Sequence, residues 1–234
     1  MRFASTRAVM PRPTLLSWSS GKDSAYALHV LRQQTDIEVV GLLTTVDEAH
    51  ARVAIHGVRV GLLRAQAAAT GLPLREVPLP SPCPNAEYEA RMGAALAQAR
   101  AEGVAALAFG DLFLEEIRRY REDSLRGTGL DAVFPLWGEP TPALARRMLA
   151  LGLRARITCI DPRRVGREVV GRDFDEALLD GLPHTVDPCG ERGELHTFAY
   201  AGPMFRHPIG ITTGETVERD GFVFADLLPA PAAA

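Results

Sequence analysis

Ser19, Ser20, Gly21, Lys22, Asp23 and Ser24 follow directly on an apolar run, Thr14–Trp18, and precede a helical pattern over Ala25–Leu31. Hydroxyls, a glycine, a cation and an acid at a strand-to-helix turn have a definite electrostatic meaning. The first N–H groups of a helix have no intrahelical partner, and the helix dipole places partial positive charge there. The serines add donors, Gly21 lets backbone approach a ligand closely, and Lys22 adds a full charge. The guest such a turn suits is a phosphate chain. Lys22 is also the only lysine of the chain; every other basic side chain, histidine apart, is arginine. A compact ammonium in so arginine-biased a sequence points to a position that wants a point charge rather than a planar fork.

Two further stretches carry chemistry-bearing residues. Asp187–Phe198 holds Glu191, Glu194, His196 and Thr197 among two glycines. Carboxylates here are suited to holding Mg²⁺ on phosphates, orienting a nucleophile or acting as a general base. The bland alternative is a solvated glycine loop with His196 at a strand edge. Gly110-Asp111 follows an apolar run, and Arg118, Arg121 and Glu122 follow about a helical turn apart. Asp111 is a candidate metal or ribose contact, and Arg121 suits a phosphate or a carboxylate. The alternative for the arginines is an ordinary salt-bridged helix face. Asp111, Glu191 and Glu194 form the expected Mg²⁺ set.

These positions need a scaffold that brings them to one end. Ile37–Thr45 is a continuous apolar, β-branched run, as expected of a strand buried on both faces. Leu74–Leu79, Val104–Phe109 and Arg154–Ile160 read as further strands. Helical patterns fill Asp23–Gln34, His56–Thr70 (capped by Gly71), Asn85–Glu102, Leu112–Arg126 and Thr141–Leu151. Alternating strands and helices predict an α/β fold with a doubly wound parallel sheet, whose ligands bind beyond the strands' carboxyl ends. After Asp161 the texture changes: Asp173–Leu182 reads as helix, and Gly202-Pro203, Thr213-Gly214 and Asp220-Gly221 read as hairpin turns. The expected organisation is a leader over 1–13, a phosphate-loop domain over 14–161, a smaller α+β part over 162–228 and a tail over 229–234.

Bulk properties narrow the class. The apolar fraction of 47% supplies a core, and the net charge of −3 gives no basic field for nucleic acid. The three cysteines are far apart with no C-x-x-C pair, which fits a reducing, cytoplasmic compartment better than a disulfide framework. No run approaches membrane-spanning length.

The turn fails the G-x-x-x-x-G-K-[ST] phosphate loop twice, with Leu16 at the first glycine and Asp23 at the hydroxyl position. It resembles instead the S-G-G-x-D-S loop of the PP-loop ATP pyrophosphatases, with Ser20 in place of the first glycine. Trp18–Ser24, His56-Gly57-Val58, Gly110-Asp111-Leu112, Arg121-Glu122, Phe134–Gly138, Gly171-Arg172 and Asp187–Phe198 occur in the order seen in the diphthine–ammonia ligase family of that superfamily. The resemblance runs from about Thr14 to Leu228. It implies a HUP-like fold in which Ser19, Ser20, Gly21, Lys22, Asp23 and Ser24 bind ATP phosphates with Gly110, Asp111 and Arg121 nearby. It also puts Lys22, Asp23, Glu191, Glu194, His196 and Thr197 in the catalytic set, Glu191, Glu194 and Thr197 falling on the family's E-x-G-E-x-x-T signature.

His196 replaces the acid of the diphthamide enzymes, giving a G-E-x-H-T form associated with bacterial relatives, which leaves the acceptor open. The implied reaction is adenylation of a carboxylate, on a small molecule or a protein, and its amidation by ammonia or an amine; a homodimer is compatible with the sequence, which does not set the oligomeric state. The competing readings are an adenine-nucleotide-binding module or hydrolase, and, more weakly, a tRNA-modifying enzyme, which needs paired cysteines and a basic RNA surface.

Overall fold

The computed structural model describes residues 10–53 and 57–231. His56, expected to open the second helix, most of the expected leader and half of the expected tail lie outside them. Strand β1 (Arg12–Ser17) begins two residues inside the expected leader. It pairs in parallel with β2 (Ile37–Asp47) on one side and β5 (Ala106–Ala108) on the other. β4 (Leu74–Leu79) extends the sheet beyond β2, and β6 (Asp131–Val133) beyond β5, both in parallel. The parallel order β4-β2-β1-β5-β6 reverses direction of growth at β1/β5, so the switch point lies beside the residue that follows β1. β2 outruns β1, and its last two residues pair with a short antiparallel strand, β3 (Arg52–Val53).

The period of two sends neighbouring residues of β1 to opposite faces. Leu16 joins the cluster built by α1 (Lys22–Leu31) and α2 (Val60–Thr70), whereas Leu15 joins the one built by α3 (Asn85–Ala101) and Leu125 of α4 (Glu115–Leu125). Both leucines are fully buried, each stabilising by about 1.5–3 kcal/mol relative to exposure. Helices cover both faces, as the sequence pattern requires.

The structure departs from the sequence reading in its second half. After α5 (Thr141–Ala150), β7 (Arg154–Ile160) does not add to the parallel sheet. It is the second strand of an antiparallel sheet in the order β8-β7-β10-β9, with β8 (Leu195–Ala201), β9 (Ile211–Arg219) and β10 (Phe222–Pro229). An apolar strand pattern reports burial and leaves the pairing partner open. Of the three expected hairpin turns only Asp220-Gly221 is one, with φ of 53° and 80°. Thr213-Gly214 lies inside β9, where the register slips opposite Ala225/Leu227, so the glycine marks a bulge. Gly202-Pro203 lies in the connection from β8 to β9. The helix expected near Asp173 is α6 (Glu176–Gly181), capped by Asp175, whose carboxylate accepts from Leu178 N–H at 2.7 Å.

α1 lies between the two sheets, and its cluster continues through Ile157, Phe198 and Ala199. A buried amide locks this arrangement. Gln66 of α2 accepts from the Trp18 indole at 2.7 Å and donates to Ser20 O at 2.9 Å and Ala199 O at 2.6 Å. One side chain of α2 thus joins the loop after β1 to β8. Gln66→Leu leaves the indole N–H and the Ala199 carbonyl without it, so we expect a loss of about 2–4 kcal/mol, read as a lower urea midpoint at unchanged m-value. A midpoint equal to wild type would refute this account of the junction.

Candidate active site

The loop Trp18–Gly21 turns from β1 into α1 with Ser20 in the left-handed region at φ 68°, and Ser20 is fully buried. Glycine adopts that conformation without the cost a side chain incurs, which is the physical content of a glycine at this position in the resembling motif. Ser20 holds it because the structure grips its carbonyl from two sides: Ala199 N–H donates at 3.0 Å, alongside the Gln66 amide. α1 then starts without a side-chain cap at Gly21. Its Lys22 N–H donates to Thr197 Oγ1 at 3.0 Å, while Ser19 and Ser24 hydroxyls meet at 3.2 Å. An uncapped helix start ringed by hydroxyls has the chemistry that suits an anion.

Lys22 is 1% exposed. Its Nζ donates to Asp23 Oδ2 at 2.9 Å and to the Cys189 carbonyl, and lies 5.4 Å from the Phe174 ring centre. Burial opposes its charge, but Asp23, with Cys189 and Asp187 beyond it, outweighs burial and raises the ammonium pKa. For Asp23 burial wins over Lys22, so its pKa is raised. Asp23 Oδ1 is buried with no hydrogen-bond partner among the described residues. The lysine thus ties α1 to the Asp187–Leu195 loop from below.

The two distant stretches arrive at this turn. Gly110, past the end of β5, packs where a Cβ would come within 3.1 Å of Ser24 N and 3.2 Å of Asp23 C. Only a residue without a side chain lets β5's end approach α1 this closely. Asp111 follows and receives Arg121 Nε at 3.2 Å, with the guanidinium 5.0 Å from the Phe109 ring centre. Arg118 instead pairs with Glu122 at 2.8 Å and covers Phe134 and Trp137, the surface role that was its alternative. Glu191 Oε1 accepts the Leu112 N–H at 2.7 Å. Burial pushes its pKa up to about 7; the Leu112 hydrogen bond opposes this, and Asp23 and Asp111 add repulsion.

A cavity of about 190 Å³ is lined by Ser19, Lys22, Asp23, Ser24, Gly110, Asp111, Arg121, Glu191, His196 and Thr197. Residues from three separate stretches therefore share one wall. Glu194 does not. It is fully buried, and its oxygens accept the Asp187 N–H at 3.2 Å and the Arg192 N–H at 2.9 Å, so it shapes the loop from within. Among the described residues no group of three His, Cys, Asp or Glu is gathered for a metal, so Asp111, Glu191 and Glu194 do not form a shared cage.

Sequence reasoning passed over Gln66, whose signal was one long polar side chain within the apolar stripe of α2. It also passed over two large cavities flanking the small one. One, of about 720 Å³, shares Ser17, Ser19, Phe109 and Arg121 with it and is otherwise lined largely by apolar side chains such as Leu43, Met92 and Leu107. The other, of about 670 Å³, meets it at His196. Ser19, Arg121 and His196 apart, the residues that line these cavities carry no sequence signal of their own.

A doubly wound sheet with a strand-to-helix turn at its switch point, beside a separate antiparallel sheet, is consistent with a fold of the PP-loop, HUP-like kind. The chain matches the diphthamide synthase N-terminal domain over residues 13–132 and the diphthamide synthase C-terminal domain over residues 141–225. It belongs to the diphthamide synthase family, a family of ATP-utilising ligases. No curated protein matches the chain. Among the described residues no helix is long and apolar enough to cross a membrane.

Proposed function

We propose that this protein adenylates a carboxylate at the expense of ATP and amidates it with ammonia or an amine. The observation that carries the reading is the convergence of the Ser19–Ser24 turn, Asp111 and Glu191 on one small cavity between two large ones. In this reading the nucleoside occupies the largely apolar cavity, among Leu43, Met92 and Leu107, and the phosphates reach the α1 N-terminus. A carboxylate oxygen of the acceptor attacks the α-phosphorus, the bond to the bridging oxygen breaks, and pyrophosphate leaves. Ammonia then attacks the acyl carbon, AMP leaves with the bonding pair, and Glu191 accepts the proton that ammonia loses. A carboxylate with a pKa near 7 is matched to that exchange.

Mg²⁺ fits the residues present: Asp23 Oδ1 is a buried acceptor without a hydrogen-bond partner among the described residues, and Asp111 lines the same cavity. Asp23 and Asp111 would hold it together with phosphate oxygens, the usual way Mg²⁺ is bound in phosphoryl sites. When bound it supplies charge neutralisation for the departing pyrophosphate. The free Cys159 has its pKa pushed up to about 12 by burial, and burial likewise raises Cys189, so neither supports thiol chemistry of the tRNA-thiolase kind. Free thiols also favour a reducing, cytoplasmic setting.

The test is product analysis with α-labelled ATP, Mg²⁺, ammonium and pooled small carboxylates. Carboxylate-stimulated AMP and pyrophosphate are expected. ADP and phosphate as the main products would overturn the reading, and nucleotide binding without stimulated product would replace it by the binding-module reading.

A further inference from the structure

The cavity on the far side of His196 has an unusual charge inventory. Five arginines line it (Arg52, Arg163, Arg164, Arg192 and Arg219) against three aspartates, Asp47, Asp161 and Asp220. Local pairing does not balance them. Arg52 shares the single carboxylate of Asp226 with Arg59, at 2.9 and 2.6 Å. Arg163 takes both oxygens of Asp161, leaving Arg164 at 3.8 Å from Asp161 and 3.8 Å from Glu194. Asp47 is engaged by His50 at 2.8 Å. Arg192 and Arg219 have no carboxylate partner among the described residues; each lies over an aromatic ring, 5.3 Å from Phe113 and 5.1 Å from Phe224. Asp220, at the hairpin turn, is the lining acid without an ion-pair partner among the described residues.

Stacking orients a guanidinium by its face and leaves its in-plane donors pointing outward, the geometry that takes a carboxylate or phosphate bidentately. The placement matters as much as the charge. Arg192 follows Glu191 in the chain, and the two line different cavities. His196 lines both cavities, so a ligand seated on the arginines lies next to the phosphate turn across that side chain. A volume of about 670 Å³ is that of a small-molecule site.

We propose that this cavity is the acceptor pocket and takes a small carboxylate that bears a second anionic group, a further carboxylate or a phosphate-like head, held by Arg192 and Arg219. The inference rests on the adenylating reading above and adds the class of acceptor to it. The reacting carboxylate faces His196, and the second anion sits on the guanidinium groups.

The experiment measures, by calorimetry, binding of butyrate, glutarate and 3-phosphonopropionate to the full chain saturated with Mg²⁺ and α,β-methylene-ATP, which keeps the probes off the phosphate turn. Glutarate or 3-phosphonopropionate is expected to bind at least about tenfold more tightly than butyrate, and whichever is favoured names the second anion. Arg219→Gln and Arg192→Gln are each expected to weaken that probe by about tenfold. Arg167→Gln, which only breaks a surface pair with Glu218 at 2.7 Å, is expected to change nothing. Equal binding of the three probes, a preference that survives both cavity variants, or no binding at millimolar concentration would overturn the inference. The last result would assign the acceptor to a macromolecule. Failure of the methylene analogue to bind wild type would instead sink the nucleotide reading, so the two failures are distinguishable.

Discussion

Lys22→Met is expected to abolish carboxylate-stimulated AMP release, by about two to three orders of magnitude, and to lower the melting temperature. The ammonium is fully enclosed and joins α1 to the Cys189 carbonyl. Removing it leaves Asp23 beside the phosphate turn with no counter-charge, and breaking a buried pair costs about 3–5 kcal/mol. Asp23 retains 27% side-chain exposure, so the lower end applies, equivalent to roughly 6–12 °C for a chain of this size. Methionine fills the lysine volume, so the loss is electrostatic rather than a cavity effect.

The pH dependence checks the cause. Without Lys22 the pKa of Asp23 rises further above its unfolded value, so its penalty appears above the unfolded pKa and grows until the folded pKa is passed. The melting deficit should therefore shrink as pH falls toward the ordinary aspartate value of about 3.9. Lys22→Arg should not rescue turnover, because a planar fork does not occupy the space of an ammonium between Asp23 and a carbonyl. Turnover within twofold of wild type, with an unchanged melting temperature, would remove Lys22 from the machinery.

Glu191→Gln has the second largest expected effect, and its two consequences run in opposite directions. Folding raises the pKa of Glu191 to about 7. A carboxyl raised in the folded state contributes stability that is fully present below its unfolded pKa and lost as pH rises through about 7. The metal-free wild type should therefore lose stability between about pH 4.5 and 7 relative to Glu191→Gln. Glutamine keeps an oxygen for the Leu112 N–H and carries no charge toward Asp23 and Asp111. The variant should melt higher than wild type at pH 8 and the same at pH 4, while amidation falls by about two orders of magnitude. Measuring both curves in chelator isolates the effect from bound cation. A variant that melts lower at pH 8 would show that the Glu191 charge does not destabilise the fold, and one that retains full amidation would show that Glu191 does not move the proton.

Much of the site could be read from local chemistry. The hydroxyl-rich turn, its lone lysine and its place between strand and helix are sequence-adjacent, so the sequence alone points to an anion site. Asp111 and Arg121 were legible because the carboxyl end of a parallel strand is where such sheets bind ligands. Glu194 shows where that logic stops. Its type and spacing match Glu191, yet only the fold turns its oxygens onto the Asp187 and Arg192 amides while Glu191 reaches the cavity. Gln66 shows the converse, an ordinary amide that becomes the junction of three segments through tertiary contact.

The parallel sheet, its helical cover and the phosphate turn follow from patterns of period and polarity within short windows, and these the amino-acid order sets directly. Strand pairing is not local. The β7 pattern satisfies either sheet, and its place beside β8 and β10 is settled by which apolar faces meet across α1. The same distant meeting brings Thr197 to the Lys22 amide at 3.0 Å and opens the two cavities on either side of the turn. Cavities and charge imbalance are properties of surfaces assembled from many segments, so they arise only when the chain has folded.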